Sequence, residues 1–548
     1  MKKFLSCILA FALTASLAVP VAFAAEYTDV PASSALAGEV QKAVEYGLMN
    51  GYGGGKFGYA DSMTRVQFVT VLDRMLLQPQ TGTATTNYIT KAMEVPDTIS
   101  DTYRNAIEHA ARFDVVDRNI AFRPNEPIAR GEMAEMLVRA LGLKGAAQIS
   151  EKENSLSFTD VSTRKGYISV AYDIGMTKGI SATNFGPNLT ATRAQAAAML
   201  VRIYEKLHQK NDFLHGFYAI SSYSQLDLAK NMNTVSAGWS RMNWDGVSAL
   251  LSTTSANSNE YYVPGGYEEV TAAIGNLHLN VFMDGQSLKD MLASENGRTL
   301  AMRQIIQEVS VNYDSIGRNP YSGITIDFEG LRSAQKSDFV AFLTELRAAL
   351  DKLDKSLYVC VPPALSTGPY YDGYDYGAIG KLADKVILMA YDYAAKDMTA
   401  FVGTEYYRTA ATAPIGQVYW ALKKTAEEID PSKVLLGFSV INTAWQIDKN
   451  GKLISGMPVY PSNDTVAKRL AQSSTVQGWS QEYQQSYAIY ETEDGSRYFL
   501  WYQNDRSVQA ALDTAHLLNA GGVSIWRLGS IPKYSAENSS WDWSSLLT

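Results

Sequence analysis

Two carboxylates stand two residues apart, Asp327 and Glu329, at the end of the run Tyr321-Ser322-Gly323-Ile324-Thr325-Ile326-Asp327-Phe328-Glu329-Gly330-Leu331. Along an extended segment side chains alternate, so Ile324, Ile326 and Phe328 share one face and Thr325, Asp327 and Glu329 the other. Carboxylates at i and i+2 lie roughly 6–7 Å apart along a strand. Where water is scarce, the charge on one disfavours the charge on the other. An acid kept protonated in this way can hand a proton to a leaving group, the task of a general acid. Other chemistries find less support. The histidines at 109, 208, 215, 278 and 516 show no ligand spacing and CxxC pairs are absent, so no metal site and no cofactor are expected. Cys360 sits within the apolar run Leu357 to Val361 and reads as a buried core thiol.

The carboxylates need a frame that aligns strand ends. From about Phe213 onward, short apolar runs alternate with helical stretches such as Lys336 to Leu353 and Asp505 to Asn519. Eight runs are present: Leu214–Ile220, Val235–Ser240, Leu279–Asp284, Gly323–Glu329, Leu357–Pro363, Lys385–Tyr393, Val434–Val440 and Gly522–Leu528. They predict an α/β TIM (β/α)8 barrel, with chemistry at the carboxyl ends of its strands. The long gap Ile441 to Asn504 predicts a small α+β insertion after strand 7, with a hairpin near Asp494-Gly495.

The first third repeats itself. Tyr27-Thr28-Asp29-Val30 and Phe158-Thr159-Asp160-Val161 open two repeats, and Glu94-Val95-Pro96-Asp97 is a degraded third. Each is followed by a helical segment, a turn, an aromatic and a second helix opened by Arg65, Arg130 or Arg193. Thr64 and Thr192 fit N-caps, with Gln67 and Gln195 at capping-box spacing. Such helical pairs bury too little surface alone, so an all-α triplet is expected.

Length and composition agree. A chain of 548 residues, 46% hydrophobic and 19% charged, exceeds a single domain. The formal charge of -8 argues against nucleic acid and against a membrane held by charge. Residues 1–24 have the layout of a secretory signal peptide, with cleavage expected after Ala24. Its removal takes Cys7, leaving Cys360 unable to form an internal disulfide. No other window is apolar enough to span a bilayer. The expected segments are 1–24 leader, 25–84, 85–146 and 152–208 repeats, and 212–548 barrel.

Two resemblances follow from these motifs. The repeats resemble S-layer homology (SLH) domains in Gly47-Leu48-Met49-Asn50-Gly51, Phe122-Arg123-Pro124, Gly175-Met176-Thr177-Lys178-Gly179 and Phe185-Gly186-Pro187. The resemblance implies anchoring to a secondary cell-wall polysaccharide, with Arg65 and Arg193, and by position Arg130, facing its anionic groups. The second repeat departs at Ala129, Gly131 and Phe113-Asp114-Val115, which puts its pocket in doubt. The barrel resembles family 18 glycoside hydrolases, whose D-x-x-D-x-D-x-E signature matches at Asp327 and Glu329. Met389-Ala390-Tyr391-Asp392-Tyr393 is like that family's M-x-Y-D. Ser524-Ile525-Trp526-Arg527-Leu528-Gly529 and Trp501-Tyr502-Gln503-Asn504-Asp505-Arg506-Ser507 are similar to its spore-cortex and germination branch.

That resemblance implies Glu329 as acid and then base, Asp327 as the partner of the substrate's acetamido group, Tyr391 and Asp392 as its further holders, and Trp526 as the floor of the −1 subsite. Tyr393, Met389, Tyr218 and Trp445 are expected at the substrate. Tyrosines of the loop Pro369 to Tyr376 could stack on sugars, as could Trp239 and Trp501. Ser322 and Thr325 replace the first two aspartates of the signature, and Asp327 is expected to titrate lower in consequence. The implied function is a wall-anchored enzyme cleaving β-1,4 bonds beside N-acetylglucosamine by a retaining, substrate-assisted route, peptidoglycan favoured. Its partners are that glycan and the wall polysaccharide, and its location is the bacterial cell wall. The alternatives are a chitinase acting on external chitin and a silent glycan-binding surface-layer protein.

Overall fold

The computed structural model describes residues 27–77, 88–153, 156–366, 368, 370–536 and 539–547. The expected leader lies outside them. No helix among the described residues is long and apolar enough to cross a membrane.

Eight parallel strands form the barrel: β1 (Leu214–Tyr218), β2 (Thr234–Trp244), β3 (Leu277–Met283), β4 (Gly323–Phe328), β5 (Ser356–Val361), β6 (Lys385–Leu388), β7 (Val434–Ser439) and β8 (Gly522–Trp526). Each pairs with its neighbour in chain order, and β8 returns to β1 with Ser524 opposite His215, so the sheet has no free edge among these strands. All eight coincide with the apolar runs of the sequence. The period of two holds inside them. On β4, Ile324, Ile326 and Phe328 join the core against the helices, where Phe328 stacks on Phe342 at 5.3 Å, while Thr325 and Asp327 turn inward.

The inward face of the barrel's lower half is polar and dry. His215 shares hydrogen bonds with Ser524 Oγ and Ser236 Oγ, both at 2.7 Å. Ser236 Oγ meets Thr325 Oγ1 at 2.6 Å, and Thr325 Oγ1 meets His278 Nδ1 at 3.3 Å. His278 Nε2 meets Ser356 Oγ at 2.7 Å. This chain links β8, β1, β2, β4, β3 and β5 around the lumen. Burial holds both imidazoles neutral, His215 well below its ordinary range and His278 down to about 3.

The insertion after β7 is a four-stranded antiparallel sheet ordered Val476–Ser480, Gln485–Glu491, Arg497–Tyr502, Thr443–Ile447, with one helix, Asn463–Leu470. The central hairpin turns through Gly495, whose φ of 80° is the left-handed region that favours glycine. Two features were not legible beforehand. β2 runs on past the barrel and folds back antiparallel to Ala249–Ser252. After β8, Lys533–Ala536 pairs antiparallel with Ser539–Asp542, and a short helix, Ser544–Leu547, follows.

In the repeats, Thr64 and Thr192 accept from Gln67 N and Gln195 N, and each glutamine side chain accepts from its cap's own N–H, as the spacing required. Asp29 accepts the N–H groups of Phe57, Gly58 and Tyr59, and Asp160 those of Phe185 and Gly186. The degraded repeat lacks that clasp, because Asp97 is exposed and Phe122 N donates to Met93 O instead. The segments entering the three arginine helices pair with one another, Thr64 with Pro127, Ala129 with Thr190 and Ser62 with Thr192, closing the triplet into a ring.

Triplet and barrel share one apolar core. Helix Lys144–Glu153 packs on helix Ile415–Ala426, where Gly145 and Gly416 meet so closely that a Cβ on Gly416 would stand 2.8 Å from the Gly145 carbonyl carbon. Asp173 there accepts from both Tyr419 Oη and Lys423 Nζ at 2.7 Å.

Depressed imidazole pKa values make acid a denaturant. The His278 contribution is present above about pH 6.5 and is lost as pH falls toward 3, at about 1.4 kcal/mol per pH unit, and that of His215 is lost in the same direction. His278→Gln should therefore be less stable than the native chain at pH 7, with the gap narrowing steadily in denaturant titrations between pH 6.5 and 4.

Candidate active site

The sequence carboxylates end β4 at the mouth of the barrel. Glu329 N still donates to Met283 O of β3 at 3.0 Å, which carries strand geometry one residue past Phe328. Asp327 is 4% exposed and lies beside the Asn280 amide and the Cys360 thiol, with its Oδ1 unpaired. Burial and the Glu329 charge push Asp327 up to about 8. Asp327 is raised above a free carboxyl with Thr325 at the second signature position. Glu329 is also raised, by desolvation and by the charges of Asp284 and Asp392, against the pull of Lys396. Two neighbouring carboxyls are thereby both held toward their protonated forms.

Past β6 the chain turns sharply. Tyr391 lies against β7 at Gly437, where a Cβ would come within 2.6 Å of its ring, so glycine makes room for the tyrosine. Asp392 adopts φ 58°, a strained conformation for a side-chain-bearing residue. Burial lifts its carboxyl to about 6, with Ser439 and Lys396 opposing. Trp526, at the end of β8, meets Phe217 edge-on at 5.2 Å and borders the lumen cluster of Phe217, Tyr358, Cys360 and Ile387, to which Met389 also packs. The β4, β6 and β8 residues expected at the site therefore converge on one mouth.

Others fall elsewhere. Tyr218, expected at substrate, is 1% exposed and packs edge-on against Trp239 in the apolar core. Trp445 and Trp501 are buried in the insertion with Tyr407 and Phe499. Those two substrate assignments, Tyr218 and Trp445, give way to core packing: Phe217 takes the lumen face of β1 and Tyr218 the opposite face with Trp239, while Trp445 packs with Tyr407, Phe499 and Trp501. Tyr393 is half-buried, its hydroxyl enclosed without a partner. In the loop after β5, Tyr374 Oη donates to Phe328 O at 2.7 Å and Tyr376 Oη to Pro362 O at 2.5 Å, which leaves Tyr370 facing the Glu329 and Asp392 charges.

Several site neighbours were missed. Tyr261 stacks on Phe282 at 4.9 Å, and burial with the Asp327 and Glu329 charges pushes its phenol up to about 12. Arg241 covers the other part of Phe282 and pairs with Asp284 at 2.6 Å. Asn280 was readable, since LHLNVFM places His278, Asn280 and Phe282 on one face; Tyr261, in an irregular loop, carries no such signal.

The arginines of the repeats are engaged between repeats. Arg193 donates to Phe57 O and Asn50 O and lies over Tyr52 and Phe57. Arg130 donates to Phe185 O and Thr177 Oγ1. Arg65 instead pairs with Glu126 and Glu132 of the second repeat. Beside Arg193 a cavity of about 160 Å³ is lined by Tyr52, Gln67, Arg74 and Tyr103.

Residues 269–530 match the family model of glycosyl hydrolases family 18, and residues 26–69 and 157–197 match that of the S-layer homology domain. The barrel thus carries a glycosyl hydrolases family 18 domain match over 269–530, and two S-layer homology domain matches precede it. The chain is 27% identical over 39% of its length to YdhD of Bacillus subtilis (strain 168), assigned as a sporulation-specific glycosylase, and covers 49% of that protein. It is 25% identical over 41% of its length to the cortical fragment-lytic enzyme of the same organism, covering 50% of it. It is 31% identical over 38% of its length to the surface-layer 125 kDa protein of Lysinibacillus sphaericus, covering 17% of it. The chain spans about half or less of the length of these relatives.

A carboxyl with a raised folded pKa stabilises fully below about pH 4 and costs stability as pH rises through 8. Asp327→Asn should therefore unfold at higher denaturant than the native chain at pH 7, by a few kcal/mol, with the two converging near pH 4. Asp284→Asn removes a neighbouring negative charge and frees Arg241, so the alkaline limb of any Glu329-dependent rate should move to lower pH.

Proposed function

We propose that this chain is a cell-surface glycoside hydrolase that cuts β-1,4 linkages beside N-acetylglucosamine, with peptidoglycan as its substrate. The observation that carries the reading is the pair Asp327 and Glu329, both raised, at the mouth beside Tyr391 and Asp392. Glu329, whose carboxyl is raised by desolvation and by the Asp284 and Asp392 charges, gives its proton to the glycosidic oxygen. No protein carboxylate needs to attack, because the sugar's own acetamido oxygen closes on the anomeric carbon and the product retains configuration. Asp327 accepts a hydrogen bond from the acetamido N–H in a buried setting. Tyr391 donates to the acetamido carbonyl, Asp392 steadies the distorted ring, and Trp526 lies under it. Glu329, now ionised, then activates water.

The S-layer homology domains support a place on the wall, where an anionic polysaccharide would be the partner. The cavity at Arg193, with Arg74 and Gln67, suits it better than the Arg65 position, whose charge two glutamates already balance. The names of the cortical fragment-lytic and surface-layer relatives favour wall glycan over external chitin. Retention of both carboxyls weighs against a silent glycan-binding barrel.

Incubation of the protein and its Glu329→Gln variant with purified peptidoglycan and with N-acetylglucosamine oligomers, followed by mass spectrometry, tests the reading. Reducing-end N-acetylglucosamine from peptidoglycan, lost at least a hundredfold in the variant, is the expected result. Cleavage of oligomers alone would make the enzyme a chitinase, and no product from either, with binding intact, would make the barrel a glycan-holding unit.

A further inference from the structure

A cavity of about 760 Å³ lies between the insertion and the connections that leave β7, β8 and β1. Its volume is in the range of clefts that take organic ligands. It adjoins the end of β8. Val440, on its wall, donates its N–H to Trp526 O at 3.2 Å, and Ile441 N donates to Ser439 Oγ at 3.3 Å, so the wall begins one residue past β7. From Trp526 the chain crosses to β1, with Leu528 N donating to Phe217 O at 3.0 Å, and Gly529 then enters the lining with its N–H on Gln225 Oε1 at 2.8 Å. The lining is tied together and largely neutral. Asn442 Nδ2 donates to Asn463 Oδ1 at 2.8 Å, and Asn463 Nδ2 donates to Ser530 O, which joins the insertion to the β8 connection. Among the described residues Asn442 spends only its amide nitrogen, so its carbonyl oxygen remains for a ligand. The charged groups are already engaged, Asp464 by Tyr534 Oη and Lys533 by Asp227 at 3.7 Å. Tyr460 on the rim is 58% exposed, and the rim continues into the exposed Val459 and Met457. Amide and hydroxyl groups beside an open aromatic ring suit a neutral sugar, which has a hydrogen-bonding edge and an apolar face.

We propose that this cavity holds the uncut strand on the non-reducing side of the reacting sugar, with Tyr460 stacking on a ring and Asn442 accepting from an amide or hydroxyl, and that the enzyme therefore cuts inside strands. This rests on the hydrolase reading above. In the closed ring of eight, β4 and β8 are four strands apart and face each other across the mouth. Glu329, just past the β4 end, serves the bond to the leaving sugar, and Trp526 at the β8 end lies under the reacting one. The sugars that precede the reacting one then continue past β8, where the cavity lies. A site that removes single terminal sugars is closed behind the reacting ring, whereas this one opens there.

The test uses the full chain and its Tyr460→Ala and Ser224→Trp variants. Ser224 is exposed at the cavity rim, so an indole there fills the space without entering a core. The probes are peptide-free peptidoglycan strands and N-acetylglucosamine oligomers of increasing length, each reduced at its reducing end so that mass spectrometry reports where along the strand the first cuts fall. First cuts by the native chain should leave several sugars on the non-reducing side, with kcat/KM rising as sugars are added there. Each variant should diminish that rise about tenfold and move the first cuts toward the non-reducing end, and Tyr460→Trp should behave as the native chain. Release of single sugars from the non-reducing end from the start overturns the proposal. So does a cut position unchanged in either variant, or a loss of rate equal at every length. If the native chain cuts neither probe, the hydrolase reading fails, and binding of the same oligomers still decides the cavity. Affinity that grows with length in the native chain but not in Ser224→Trp keeps it as a glycan site, and affinity indifferent to length or to the variant overturns it.

Discussion

Water exclusion by the closed barrel is the constraint on which the site depends. With β8 joined to β1, inward side chains such as His215, Ser236, His278, Thr325 and Asp327 are buried in one lumen, and every ionisable group there must either find a partner or give up its charge. The lower layer meets this demand with neutral chemistry: two imidazoles, three serines and a threonine hydrogen-bond in a chain, and the imidazoles stay uncharged. The upper layer meets it incompletely. Asp327 has one unpaired oxygen, the Asn280 amide has no partner in strict geometry, and the cost appears as raised carboxyls. Strain of this kind is tolerated where it serves chemistry.

Thr325 makes sense against that background. It occupies a link in the neutral chain between Ser236 and His278, so a carboxylate there would bring a charge into a run of neutral groups that both bond through the Thr325 hydroxyl. Burial together with the Glu329 charge keeps the Asp327 carboxyl raised. Cys360 contributes as a small, polarisable neighbour of that carboxyl and is itself driven upward by the same desolvation.

The anchor obeys a similar economy. Its arginines are the clasps between successive repeats, each reaching the turn of a neighbour, and in the first repeat the reach ends on glutamates rather than carbonyl oxygens. The triplet then continues into the barrel through the Gly145–Gly416 approach and the Asp173–Lys423–Tyr419 cluster, so the two units meet through packed side chains and a near-buried ion pair. A cleft held in this way keeps a set attitude toward whatever surface the repeats grip.

Local periodicity made much of this visible in the chain itself. Alternation located eight strands and turned Asp327 and Glu329 to one face; the Thr-x-x-Gln spacing located two capped helices; Asp494-Gly495 located the hairpin of the insertion. Each of these is decided within a few residues, by backbone sterics, side-chain period or a cap. What the chain could not reveal alone is which residues from separate loops meet over the mouth. Tyr261, Arg241 and Asp284 arrive there from two connections, and Tyr218 and Trp445, aromatic and suitably spaced, go into cores instead. Those outcomes depend on long-range closure of the barrel and on the desolvation it imposes. The sequence by itself determined the strands, the caps and the facing carboxyls, whereas only the tertiary structure decided how far those carboxyls are raised and which charges stand beside them, because both follow from distance and water rather than from order along the chain.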